Sequence, residues 1–305
     1  MRCVCYKVEK NEDNMTVDSF LRKKGVSRRV IIDLKKEKDG ITKNGQWTRT
    51  IDRLHTDDEV MIKVREYETS EHILPQNIPL DVVYVDEDIM VIIKPAGISV
   101  HPTPRHRENT VANALAYRAK QQNKDFVFRA IGRLDKNTSG LLVLAQNALS
   151  AGILSDMSAK KLMKREYLAI CRGETPKEGT INAPIKRKAD LEIERIVAPD
   201  GERAVTHFRR IAFENGFSLV HLWLETGRTH QIRVHMKHIG FPLMGDFVYN
   251  PDYEGISRHA LHAGFLTVPK LITGEERQFF APLPQDMQGF FPNITEEKLR
   301  KLCGK

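Results

Sequence analysis

Cysteine is scarce: four residues in 305, with Cys3 and Cys5 close together and Cys171 and Cys303 far apart. That spacing builds neither a disulfide framework nor two CxxC zinc half-sites, and it fits a reducing cytoplasm. No stretch reaches the roughly 18 uninterrupted apolar residues of a membrane span, and the opening MRCVCYKVEKNEDN lacks the apolar core of a secretory leader. The expectation is a soluble cytoplasmic protein. Gly (19) and Pro (14) are too few for a fibrous or low-complexity chain, and no repeat recurs at a fixed period. With 41 % apolar residues the chain can bury the core of one sizeable domain and a smaller one.

Charge is not lacking. Lys and Arg number 48 against 40 Asp and Glu, a formal net charge of +8. Its placement matters more than its sum, because a polyanion is held by clustered cations that displace its counterions. Arg22 to Lys38 carries eight basic residues (Arg22, Lys23, Lys24, Arg28, Arg29, Lys35, Lys36, Lys38) against Asp33 and Glu37, a local +6. Ser158 to Lys188 carries nine against three, again +6, which leaves the remainder at −4. Two basic clusters on an otherwise acidic chain point to nucleic acid, although a Lys-rich helix face can equally be a solvated one.

The first 70 residues read as a module. Thr16 caps a helix with Val17, Phe20 and Leu21 on one face, and Gly25 ends it. Ser27 caps a second, with Val30, Ile31 and Leu34 inward and Arg28, Arg29, Lys35 and Lys36 outward. Asn44-Gly45 signals a hairpin, and VMIKV a closing strand. The run TVDSFLRKKGVSRRVIIDLKKEKDGITKNGQ resembles the small RNA-binding domain named after the fourth protein of the small ribosomal subunit. That resemblance implies an RNA-gripping role for Arg22, Lys23, Lys24, Arg28, Arg29, Lys35 and Lys36.

Residues 71–79, with Pro75 and Pro79, are the linker candidate. Beyond it, strands interleave with helices at 111–122 and 149–158 without regular βαβ alternation. The expected class is α+β, a central mixed and largely antiparallel sheet flanked by helices and loops and preceded by a small α/β module. The boundaries so drawn are 1–70, 80–292 for the main domain, and a tail at 293–305 with a short helix capped by Thr295.

Three segments carry chemistry. In GRLDKNTSG, Arg133 and Asp135 sit in a turn directly before the apolar strand GLLVLA. A loop Asp beside a buried strand can be held rigidly and partly desolvated, as a nucleophile or base requires; the plain alternative is an Asx turn. In ETGRTHQIRVHMKHIGFPLMGD, Thr229 can cap a helix, and Arg233 on it can pair with the loop Asp and keep it ionised. His230, His235 and His238 lack the spacing and the carboxylate of a zinc helix, so no metal is expected. Tyr167, in KREYLAI, is either a strand core residue or a stacking platform for an unstacked base.

GRLDKNTSG, KREYLAI, TGRTHQIRVH and RHALHAGFL, in this order and preceded by IIKPAGISVHP, resemble the pseudouridine synthases of the RluA/RluD type. That family often has His before Arg-Leu-Asp, where this chain has Gly132. The resemblance implies an RNA isomerase without cofactor. Asp135 would be its essential carboxylate, with Tyr167 stacking on the target uracil, Arg233 paired to Asp135 and Arg133 reaching into the RNA. Lys94, Thr138, Gly140, Arg228, Leu261 and His262 would shape the pocket. It favours large-subunit ribosomal RNA over transfer RNA, and monomer is the default state. The residues leave open whether the carboxylate attacks sugar or base or takes a ribose proton. A non-catalytic RNA binder would share the basic clusters but has no need of an Asp–Arg pair. A nucleoside or glycoside hydrolase would share the Asp but normally needs a second carboxylate.

Overall fold

The computed structural model describes residues 1–103, 107–189, 192–250 and 255–305. The chain opens with β1 (Arg2–Lys7), α1 (Val17–Lys23), α2 (Arg28–Leu34), β2 (Ile41–Lys43), β3 (Gln46–Trp47) and β4 (Glu59–Val64). These strands form an antiparallel sheet in the order β1-β4-β2-β3. Thr16 accepts the Ser19 N–H and Ser27 the Val30 N–H, so both helix starts are capped as their sequences predict. Asn44 and Gly45 adopt φ of 50° and 78°, the left-handed pair that a two-residue hairpin needs. Phe20, Leu21, Ile31 and Leu34 fill the space between helices and sheet, but that core is completed from outside by Leu149 and Ile153.

The segment expected as a linker is strapped down rather than slack. Ser70 donates its N–H to the Phe126 carbonyl, Ile73 packs against Ala112 and Ala116, and the Gln76 N–H reaches the Asn113 carbonyl. The main body follows as β5 (Asp81–Val85), β6 (Ile89–Lys94), α3 (Val111–Gln121), β7 (Ala130–Ile131), β8 (Ser139–Ala145), α4 (Ala148–Ala159) and β9 (Lys164–Arg172). It continues through β10 (Glu178–Asn182), β11 (Ile185–Arg187), β12 (Arg195–Val197), β13 (Val205–Glu214), β14 (Phe217–Leu224) and α5 (Gln231–His238). The last elements are β15 (Leu261–Pro269), β16 (Glu276–Phe280), α6 (Gln285–Gln288) and α7 (Glu296–Leu302).

One mixed sheet, β10-β13-β14-β9-β15-β8-β6-β5, organises this body, with β16 joined to β15 and β7 to β8. Its pairs are antiparallel except β15 with β8. Every residue of β8 and β15 is buried, which explains why GLLVLA in β8 reads as an apolar run rather than an alternating one. At their junction Gly140 has φ +116°, and a Cβ there would lie 2.3 Å from the Ala263 carbonyl oxygen. Only glycine permits this approach, and it brings the loop before β8 to the start of β15. Helix α7, capped by Thr295 as expected, docks behind β9 and β13: Lys305 pairs with Glu166 at 2.5 Å, and Arg209 donates to the Leu302 carbonyl. Among the described residues no helix is long and apolar enough to cross a membrane.

Candidate active site

An open cleft of about 800 Å³ lies where the loop before β8, the outer part of β9, the end of β14 and the start of α5 converge. Its lining includes Arg133, Asp135, Thr138, Tyr167, Arg228, Arg233 and Leu261, which the sequence had separated by up to 128 positions. Lys94, Gly140 and His262 are not on its wall; they lie behind it. Lys94 is fully buried and spends its three N–H groups on the carbonyls of Pro95 (2.7 Å), Ile98 (3.0 Å) and Lys136 (3.0 Å). Burial, aided by the Arg258 charge and opposed by Asp135, pushes its ammonium down to about 7. Arg258, anchored on Asp286, donates to the Asn137 carbonyl at 3.1 Å. Thr138 Oγ1 meets His259 Nε2 at 2.8 Å, and Ser139 Oγ meets His262 Nδ1 at 2.9 Å. Four consecutive residues after Asp135 are thus gripped from beneath, and a turn from the Thr138 N–H to the Asp135 carbonyl closes the loop. The carboxylate itself stays about one quarter exposed, facing the cleft.

The expected Arg233–Asp135 ion pair is present but shared with a second acid. Arg233 lies 3.5 Å from Asp135, but its two close bonds, Nε and Nη2 at 2.7 Å each, go to Asp246, which is fully buried. Burial opposes the Arg233 charge, and Asp246 with Asp135 more than offsets this, so its pKa is raised. Geometry decides the division of labour: Asp246 lies 13 residues on, below the helix start, and offers two oxygens to the guanidinium fork. Asp135 meets only the remaining Nη1 and keeps its lone pairs toward the cleft.

Helix α5 also begins differently from the expected Thr229 cap. His230 is the N-cap, in the left-handed conformation at φ 59°, with no side-chain capping bond. Its ring is used elsewhere. Tyr249 Oη accepts the Arg195 N–H at 2.8 Å, so its own proton is free for His230 Nδ1 at 2.9 Å. The other ring nitrogen, Nε2, lies 3.8 Å from Asp135 Oδ2. Burial and the Arg233 charge hold His230 well below its ordinary value. His235 is occupied by Thr206 and the Ala183 carbonyl. His230, Asp246, Arg258 and His259 were not singled out from sequence as site residues; the last two stood inside RHALHAGFL, the only signal for them.

His259 and His262 give the site a pH signature. Burial first, with nearby cations adding to it, drives His259 to about 2 and His262 to about 4, both below the unfolded value near 6.5. Between the folded and unfolded values the unfolded chain binds more protons, so stability is full above pH 6.5 and falls as the pH drops toward 4. At pH 5 each histidine should cost about 2 kcal/mol. Urea denaturation at pH 7 and pH 5 measures this, and equal midpoints would refute it.

The basic clusters resolve unevenly. In the first, α2 and its end expose Arg28, Lys35 and Lys38, while Arg22 pairs with Asp18, Lys23 and Lys24 with Glu12, Arg29 with Glu68 and Lys36 with Asp33. The second is not one patch around the Tyr167 strand. Lys160, Lys164, Lys186 and Lys188 are each paired with an acid, and only Lys161 and Arg165 of that cluster line the cleft. At Gly132, φ of +80° accounts for a residue without a side chain.

Residues 88–238 match the RNA pseudouridylate synthase family. An uncharacterised RNA pseudouridine synthase of Bacillus subtilis, YjbO, is 38 % identical over 90 % of this chain and 97 % of its own. Ribosomal large subunit pseudouridine synthase D of Pseudomonas aeruginosa is 37 % identical over 86 % of each chain. The structure of human RNA pseudouridylate synthase domain containing 1 shares the fold at 24 % identity, with a TM-score of 0.61 over 75 % of this chain and 97 % of that one. The chain belongs to the RNA pseudouridine synthases, enzymes that isomerise uridine to pseudouridine in RNA. Within them it is of the RluA/RluD type.

Proposed function

We propose that this enzyme converts specific uridines in structured large-subunit ribosomal RNA of the cytoplasm, with Asp135 as the essential carboxylate. The observation that carries the reading is one carboxylate, braced from behind by Lys94, Arg258 and His259 and open to an 800 Å³ cleft rimmed by arginines. Isomerisation breaks the bond from ribose to the uracil nitrogen and remakes it to a ring carbon. An ionised carboxylate beside the anomeric carbon stabilises the positive sugar that develops between those events. Arg233 Nη1 and His230 Nε2 lie 3.5 Å and 3.8 Å from Asp135 Oδ2. Tyr167 supplies a face for the detached base, and Arg133, exposed on the loop, reaches the RNA that the extruded nucleotide leaves. The relatives named for the large ribosomal subunit favour that RNA over transfer RNA. Incubating the protein with unmodified transcripts of each, then mapping pseudouridine by its carbodiimide adduct, tests the assignment; modification of the transfer RNA alone would overturn it.

Residues 1–70 act in this reading as the RNA-gripping module, carried on α4, whose far end reaches the cleft at Ser158. Deleting them would bare Leu149 and Ile153, so charge removal is the cleaner test. Arg28→Gln, Lys35→Gln and Lys38→Gln together should weaken binding and reduce the slope of log affinity against log salt by about 2. An unchanged slope removes the module from the RNA interface.

A further inference from the structure

The chain has two tryptophans, and one of them, Trp223, leaves 39 % of its surface exposed on the sheet beside the cleft. In register, Leu222 faces Tyr167 across β9, so the next residue, Trp223, emerges on the opposite face. There it meets His207 of β13, the two rings 19° from parallel with centroids 5.6 Å apart. His207 cannot turn freely: Nδ1 is held by Thr180 Oγ1 at 2.8 Å and Nε2 by Glu225 Oε1 at 3.0 Å. Glu225 in turn pairs at 2.7 Å with Arg203, and both line the cleft. Because β14 ends at Leu224, this chain of contacts rounds the end of the strand and joins the aromatic pair to the cleft rim.

Core packing does not explain an indole left open, whereas a fixed aromatic surface next to a two-thirds-exposed Arg suits RNA. We propose that Trp223, supported by His207, is a stacking subsite for an unpaired base flanking the uridine in the cleft, with Arg203 exchanging Glu225 for the intervening phosphate. The inference rests on the cleft being the uridine site. It deepens that reading by assigning the neighbouring nucleotide a place on the reverse face of the sheet. Stacking of a base on an aromatic side chain is sequence-tolerant, so the subsite would add affinity rather than choose the base.

The test uses full-length protein carrying Trp47→Phe, which leaves Trp223 as the sole indole, and Asp135→Asn to prevent turnover. An unmodified transcript of bacterial large-subunit ribosomal RNA is titrated in, with filter retention as an independent measure of binding. Saturable quenching of the indole that tracks retention is expected. In otherwise wild-type protein, Trp223→Ala should raise KM about 5- to 100-fold with kcat within twofold, and Trp223→Phe should recover most of the loss. Retention without quenching, or an unchanged KM, overturns the subsite alone and leaves the face to a protein partner. If the transcript is not retained at all, the ribosomal reading fails and the subsite with it.

Discussion

Replacing Asp135 with Asn should abolish pseudouridine formation, a fall of about 10⁴-fold or more, while the protein folds and binds RNA as before. The amide is nearly isosteric and sits one quarter exposed above a loop whose backbone is held by other residues, so little stability is at stake. What is lost is the negative charge beside the sugar, while the other carboxylate on the cleft wall, Glu225, is tied to Arg203 and His207. The carbodiimide map of a transcript incubated with the variant measures the effect. Retention of more than a few per cent of wild-type rate would mean that another group does the chemistry.

The second large effect concerns Asp246, which is out of reach of substrate. Asp246→Asn leaves the Arg233 guanidinium, only 3 % exposed, without its close carboxylate, and removing one partner of such a pair costs about 3–5 kcal/mol. The freed guanidinium would be drawn to Asp135, so activity should fall together with Tm. Adding Arg233→Met to Asp246→Asn removes the stranded charge, while the Asn oxygen still accepts the N–H groups of Val248 and Tyr249. That double variant should regain most of the stability and stay nearly inactive, since Asp135 then lacks its cation. Recovery of activity along with stability would show that Arg233 serves the fold alone.

These two carboxylates mark where sequence reading succeeds and where it stops. Strand β8 was visible as an apolar run, the helix starts at Thr16, Ser27 and Thr295 as capping residues, and the hairpin as Asn44-Gly45, because each signal is local. The cleft residues came from motif resemblance, which marks positions without assigning partners. Arg233 was therefore matched to the conspicuous Asp135 alone, without Asp246, an acid placed under α5 by the turn after it. The grip on the loop was equally hidden. Thr138 and His259 are 121 positions apart, and only the parallel junction of β8 and β15 makes them neighbours. The second basic cluster failed for a different reason: Asp156, Glu194 and Asp200, which pair with its Lys160, Lys188 and Lys186, stand just outside the counted stretch, and only Lys164 draws on a distant acid, Glu276.

The shared core of the N-terminal module has a consequence for biosynthesis. Leu149 and Ile153, which close it, are more than eighty residues downstream of β4. While the chain leaves the ribosome, Phe20, Leu21 and Ile31 have a nearly complete set of partners but lack the last side. The module waits, half-sealed, until α4 arrives, so the order of synthesis runs against the order in which its interior can be completed. A chain stalled before α4 would present that open side to chaperones, and the same seam sets the unit that must unfold together when the finished enzyme is stressed.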